Sequence, residues 1–183
     1  APAKVQSALL EAMQERQITI GEQTFKLDEP FLVLATQNPI EQEGTYNLPE
    51  AELDRFLMKL TVSYPTAEEE MQIVKTMGKA GEVTVNQILD AKTIKKFKSL
   101  VDAIIYNEKI IEYIVKIISV TRPSEKKSSE YDITRYITFG ASPRAGIAML
   151  QCAKVTALLA GRSFVLPEDI KVVAPLVLRH RIV

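Results

Sequence analysis

The sequence predicts an α/β segment followed by an all-α bundle, and three observations carry that prediction. Near the N-terminus a helical repeat gives way to two-residue alternation and then to one continuous apolar run, Phe31-Leu32-Val33-Leu34-Ala35-Thr36. Beyond Pro65 the apolar spacing turns helical and stays helical to the end of the sequence. The composition is that of a folded chain, with 183 residues of which 46% are hydrophobic and 25% charged.

Residues 2–16 read as a helix. Val5, Leu9 and Met13 recur every four positions, Ala8 and Ala12 widen the stripe, and Pro2 suits a first turn where its missing N–H costs nothing. Ile18/Ile20 and Phe25/Leu27 then alternate on either side of Gly21-Glu22, which predicts a β-hairpin. The run over residues 31–36 predicts a strand covered on both faces, as in a parallel sheet. It ends in Gln37-Asn38-Pro39, placing polar groups at the C-terminal edge of a strand, where open α/β sheets bind ligands.

A polar loop over residues 41–47 leads to a short helix opened by Pro49-Glu50 and running through Leu53, Phe56 and Leu57, with residues 60–62 as one more short strand. Thr66-Ala67-Glu68-Glu69 has capping-box spacing and starts a helix carrying Met71, Ile73, Val74 and Met77, broken by Gly78 and Gly81. Residues 91–103 and 108–120 predict two further amphipathic helices, separated from the next by a charged, Ser-rich loop over 123–129. Ser142-Pro143 is a cap followed by proline, and that helix runs to Leu159 before Gly161 stops it. Pro167-Glu168-Asp169 opens the last helix, and Pro175 predicts a break in it near Ala174. Two or three strands and two helices do not close an α/β layer, so the first part asks for neighbouring strands.

Several function classes fall away on counting. With 23 basic and 23 acidic residues the formal net charge is zero, which argues against the basic footprint of a general nucleic-acid binder. No apolar run approaches the roughly 20 residues of a bilayer span. The first residues, Ala1-Pro2-Ala3-Lys4, form no apolar signal region, and a single cysteine forms no internal disulfide, so the expected compartment is the cytoplasm. One His and one Cys assemble no zinc site. His180, between Arg179 and Arg181, reads as a solvated helix-end residue, and Cys152 as a buried small apolar one. Lys92, Lys95, Lys96 and Lys98 share a helix with Ile94 and Phe97 and read as a solvated face rather than a nucleic-acid surface. No G-x-x-x-x-G-K-[ST] occurs, so these residues contain no phosphate cradle.

Three polar features remain. Asn38 directly follows the apolar strand, Arg55 lies in Leu53-Asp54-Arg55-Phe56, and Arg144 lies in the first turn of a helix, where a cation opposes the macrodipole. Taken singly they fit a strand-end amide, a surface ion pair and an exposed first-turn arginine. Taken together with their neighbours they form a pattern. The stretches Val5-Gln6-Ser7-Ala8-Leu9-Leu10-Glu11-Ala12-Met13-Gln14-Glu15, Ala35-Thr36-Gln37-Asn38-Pro39, Leu48-Pro49-Glu50-Ala51-Glu52-Leu53-Asp54-Arg55-Phe56 and Gly140-Ala141-Ser142-Pro143-Arg144-Ala145 closely resemble the MoxR-type AAA+ ATPases.

The resemblance implies the C-terminal half of an AAA+ P-loop NTPase α/β core over residues 1–64, followed by a helical-bundle lid over 65–183. It makes the hairpin at Gly21-Glu22 a pre-sensor-1 hairpin, Asn38 sensor 1, Arg55 the arginine finger and Arg144 sensor 2, acting on its own or a neighbouring subunit. Walker A and Walker B would precede Ala1, so this stretch alone is expected to bind ATP weakly and to hydrolyse none. The whole protein is expected to bind Mg-ATP, the Mg2+ ligands lying mostly outside these residues, at the interfaces of a ring, expected to be a hexamer. It would remodel or assemble partner proteins as a chaperone does, with von Willebrand A-domain proteins as the implied clients. The competing reading is a non-catalytic helical adaptor in which Arg55 and Arg144 are ordinary surface charges.

Overall fold

The computed structural model describes residues 3–37, 48–77, 85–123 and 133–183. Asn38, the polar loop over 41–47, the glycines at 78 and 81 and most of the Ser-rich loop lie outside the described residues. Helix α1 (Ala3–Glu15) runs into the antiparallel hairpin β1 (Gln17–Ile20) and β2 (Gln23–Lys26). Ile20 pairs with Gln23, leaving Gly21-Glu22 as a two-residue turn, and Gly21 takes the positive φ of 63° that only glycine adopts without strain. The hairpin is fixed to α1 at its root, where Arg16 N–H donates to Ala12 O at 3.0 Å and Leu27 N–H to Arg16 O at 2.8 Å.

The remaining elements are helical: α2 (Glu50–Leu53), α3 (Ala67–Met77), α4 (Ala91–Asp102), α5 (Glu108–Ser119), a 3-10 turn (Ile133–Tyr136), α6 (Pro143–Leu159) and α7 (Pro167–Leu178). Their starts have local causes. Asp90, Asn107 and Ser142 cap α4, α5 and α6 by accepting from Thr93 N, Ile110 N and Arg144 N. Thr66 and Glu69 form the reciprocal capping box of α3, with Thr66 N–H on Glu69 Oε2 at 2.8 Å and Glu69 N–H on Thr66 Oγ1 at 3.3 Å. Gly161, at φ 72°, ends α6 in a Schellman motif: Arg162 N–H reaches Ala157 O and its own N–H reaches Leu158 O, both at 2.9 Å.

Helix α4 lies against α6 but buries no residue. The core is the bundle of α5 to α7 with α6 at its centre. Ala145, Ala148, Met149, Cys152, Ala153 and Ala157 form its buried stripe. Ile110, Ile114 and Ile118 of α5 meet that stripe on one side, and Ile170, Val173 and Val177 of α7 on the other. Small residues on α6 let both neighbours approach closely; a β-carbon on Gly146 would lie 2.9 Å from Ile118 Cδ1. Met149, Ile170 and Val177 are fully buried.

Three sequence expectations differ from the structure. Residues 31–36 and 60–62 form no strand, and Leu32 and Leu34 are exposed. A strand's backbone ladder needs a partner, and among the described residues the only sheet is the hairpin. Proline 175 does not break α7, which continues through it to Leu178. It lies in the last turn, where a missing N–H costs one bond, and Arg179 N–H still closes onto Pro175 O at 3.2 Å. His180 is buried rather than solvated.

Candidate functional site

The residues after α2 form a short bridge between the N-terminal part and the bundle. Asp54 caps α2 and turns its carboxylate toward the start of α6. Ser142 Oγ donates to Asp54 Oδ2 at 2.7 Å, and Arg144 Nη1 to the same oxygen at 3.3 Å. From the far end of the bundle, Arg181 Nε donates to Asp54 Oδ1 at 2.9 Å. The carboxylate therefore sits at the N-terminal end of α6, where the helix dipole favours an anion, and it offsets the Arg144 cation there.

Arg181 holds the whole segment. Its side chain is 2% exposed. Nη2 donates to the carbonyls of Asp54 and Phe56, and Nη1 to those of Leu57 and Val177, the last at 2.6 Å. His180 Nε2 donates to Phe56 O at 3.1 Å, and Lys59 N–H to Leu176 O at 2.9 Å. Burial alone would raise the Asp54 carboxyl, but the bonds from Ser142, Arg181 and Arg144 outweigh it and hold it below its ordinary value. Burial pushes the Arg181 guanidinium down while Asp54 pushes it up. It lowers His180, with Phe56 opposing, and raises the Cys152 thiol.

Arg55 points the other way. The sequence pairs it with Asp54, but the two neighbours diverge, Asp54 into the bundle and Arg55 toward α1. Arg55 Nη1 donates to Gln14 Oε1, and its Nε is buried without a partner among the described residues. The guanidinium is half-buried in a cleft of about 350 Å3 bordered by Leu10, Glu11, Gln14, Glu15 and Glu52. Arg144 is exposed, its side chain at 52%, and among the described residues is held at its Asp54 end.

Arg144 is placed by contacts that local pattern did not reveal. Thr121, buried at the end of α5, accepts Ala141 N–H on Oγ1 at 2.9 Å, and Arg122 Nε donates to Ala141 O at 3.1 Å. Gly140 packs so closely that an added β-carbon would lie 2.5 Å from Thr121 O. The structure thus brings Arg55 and Arg144 to neighbouring ends of one bridge through Asp54, while Asn38 lies outside the described residues. Among the described residues no three His, Cys, Asp or Glu side chains form a metal-holding group, and no helix is long and apolar enough to cross a membrane.

Comparison with known proteins gives a consistent answer. A family described as "ATPase family associated with various cellular activities (AAA)" matches residues 1–58, and one described as "AAA lid domain" matches residues 129–183. The chain is 45% identical over its whole length to Chaperone MoxR1 of Mycobacterium tuberculosis, covering 48% of that protein. It is 40% identical to the uncharacterized protein YeaC of Bacillus subtilis, over 97% of this chain and 53% of that one. A crystal structure of a candidate ATPase from Cytophaga hutchinsonii superposes with a TM-score of 0.88 at 44% identity, covering all of this chain and 55% of the other. The chain spans about half the length of the curated relatives it matches.

Proposed function

The chain belongs to the MoxR-type AAA+ ATPases, and from that premise we propose that it supplies the sensing and trans-acting groups of an ATP-hydrolysing ring. Residues 1–64 would complete the α/β core and residues 65–183 form the lid. The observation that carries the reading is Arg55: a half-buried guanidinium, hydrogen-bonded to a neutral amide, with a buried Nε that has no partner among the described residues. A buried donor left unsatisfied is costly, so an incoming anion is favoured there. Mg-ATP bound by a neighbouring subunit would supply the phosphoryl group to be transferred. Arg55 would hold charge developing on its oxygens, Asn38 would orient the attacking water without adding negative charge, and Arg144 would reach the nucleotide from the lid.

These residues fit such a group. Arg144 is exposed and, among the described residues, tethered by its side chain at one point, so it would exchange a carboxylate for phosphate oxygens without unfolding its helix. Its release from Asp54 would report nucleotide binding to the Arg181-held bridge that also carries Arg55. The protein would act as a ring, of six subunits in our reading, in the cytoplasm. It would remodel partners as a chaperone, with von Willebrand A-domain proteins as the first clients to try. ATP turnover and ATP-dependent assembly of the intact protein test this. Arg144→Ala should blunt both, and normal nucleotide-dependent assembly in that variant would remove Arg144 from the sensor role.

A further inference from the structure

We propose that Gln14 is a positioning residue for Arg55: its neutral side-chain amide parks the guanidinium against α1 and lets it leave. The inference rests on Arg55 being an arginine finger. Three carboxylates, Glu11, Glu15 and Glu52, border the cleft that holds Arg55. None forms an ion pair with it among the described residues; the contact that forms is Nη1 to Gln14 Oε1. The finger therefore rests in an acidic surround but bonds to an uncharged side-chain amide. The Arg55 cation donates to either acceptor, but a carboxylate adds the attraction of an ion pair that an amide lacks. A carboxylate at position 14 would thus compete with phosphoryl oxygens, where an amide yields to them.

The position of Gln14 also makes the parking responsive. Leu10, Glu11 and Gln14 share one face of α1 at helical spacing. That helix is fixed to the hairpin by Arg16 and Leu27, and Thr19 Oγ1 of β1 donates to Glu11 Oε1 at 3.4 Å. A push on the hairpin moves the amide that holds the finger.

The test compares Gln14→Glu, Gln14→Ala and Arg55→Ala in the intact protein, reading kcat, ATP affinity and the dependence of each on salt, normalised to the unmodified protein. Gln14→Glu is nearly isosteric and surface-exposed. It should lower kcat about tenfold or more at low ionic strength, with ATP affinity within about twofold. Raising the salt should restore most of the loss by screening the new ion pair. Gln14→Ala should fall less and show no salt rescue. A purely structural glutamine would give equal, salt-indifferent losses, and that result overturns the proposal, as does unchanged kcat in Gln14→Glu. If Arg55→Ala hydrolyses ATP normally, the finger reading itself fails; if Arg55→Ala is inactive and Gln14→Glu is normal, only the role of Gln14 fails.

Discussion

Asp54 and Arg181 stand 127 residues apart in sequence and meet through a 2.9 Å bond from Nε to Oδ1. This pair joins the segment carrying Arg55 to the C-terminal end of the bundle, and Asp54 simultaneously holds Ser142 and Arg144 at the start of α6. One carboxylate thus links the two arginines that we place at the nucleotide.

Removing that charge while keeping its shape separates the pair's structural worth from that of its neighbours. Asp54→Asn leaves Arg181 buried and unpaired, so we expect a loss of about 3 kcal/mol in urea unfolding. Arg144→Ala touches the same oxygen from an exposed side chain and should cost less than about 1 kcal/mol.

Stability should fall as pH drops below about 6.5, and His180, the single histidine, should account for it. Burial lowers its pKa in the fold, reinforced by Arg181 and Lys59, while Phe56 O and Asp54 oppose. The unfolded chain therefore takes the proton first. Its stabilising contribution is complete above the ordinary value of 6.5 and is lost as pH drops toward the lowered folded value. Asp54 and Asp169 are also lowered, but from 3.8, so their contributions stay intact over this window. Denaturant unfolding at a series of pH values should show the slope, and His180→Gln should flatten it.

Gly140→Ala should destabilise by about 1–3 kcal/mol, because the new methyl meets backbone, not a mobile side chain. The clash is with Thr121 O at 2.5 Å and Arg122 Cα at 2.7 Å. A lowered Tm with a weakened ATP response would show that this contact positions Arg144. An unchanged Tm would mean that the Gly140 segment gives way.

Arg162, half-buried, pairs with the buried Asp169, with Nη2 on Oδ1 at 2.6 Å and Nη1 on Oδ2 at 2.9 Å. Asp169 also accepts Leu166 N–H and so starts α7. Asp169→Ala should cost more in thermal unfolding than loss of the exposed capping-box residue Glu69, since Asp169 is itself buried and accepts from both Arg162 and Leu166 N–H.

What the sequence made legible was local. Caps, glycine stops and apolar periods placed α4 to α7 and the hairpin because each depends on residues a few positions apart. The sequence singles out Arg55 and Arg144 only through their resemblance to a family motif. Their surroundings were not legible, since Asp54–Arg181 and Arg55–Gln14 are pairings between distant segments that no spacing rule encodes. His180, flanked by two arginines, resembles a solvated residue; it is buried because Arg181 folds back onto the carbonyls of residues 54 to 57. The apolar run over 31–36 predicted a doubly covered strand, yet apolar composition without a hydrogen-bonding partner does not make one.

The central claim is that Arg55 serves a neighbouring subunit's nucleotide, and mixing two inactive variants of the intact protein tests it most directly. Arg55→Ala should retain ATP binding while losing hydrolysis by about 10³-fold or more, and Asn38→Ala should also be impaired. In an equimolar mixture, about a quarter of the interfaces in a closed ring pair an intact Asn38 site with an intact Arg55 donor. Hydrolysis should return to a matching fraction of the unmodified rate. A mixture as inactive as its two components would contradict an arginine acting across the interface.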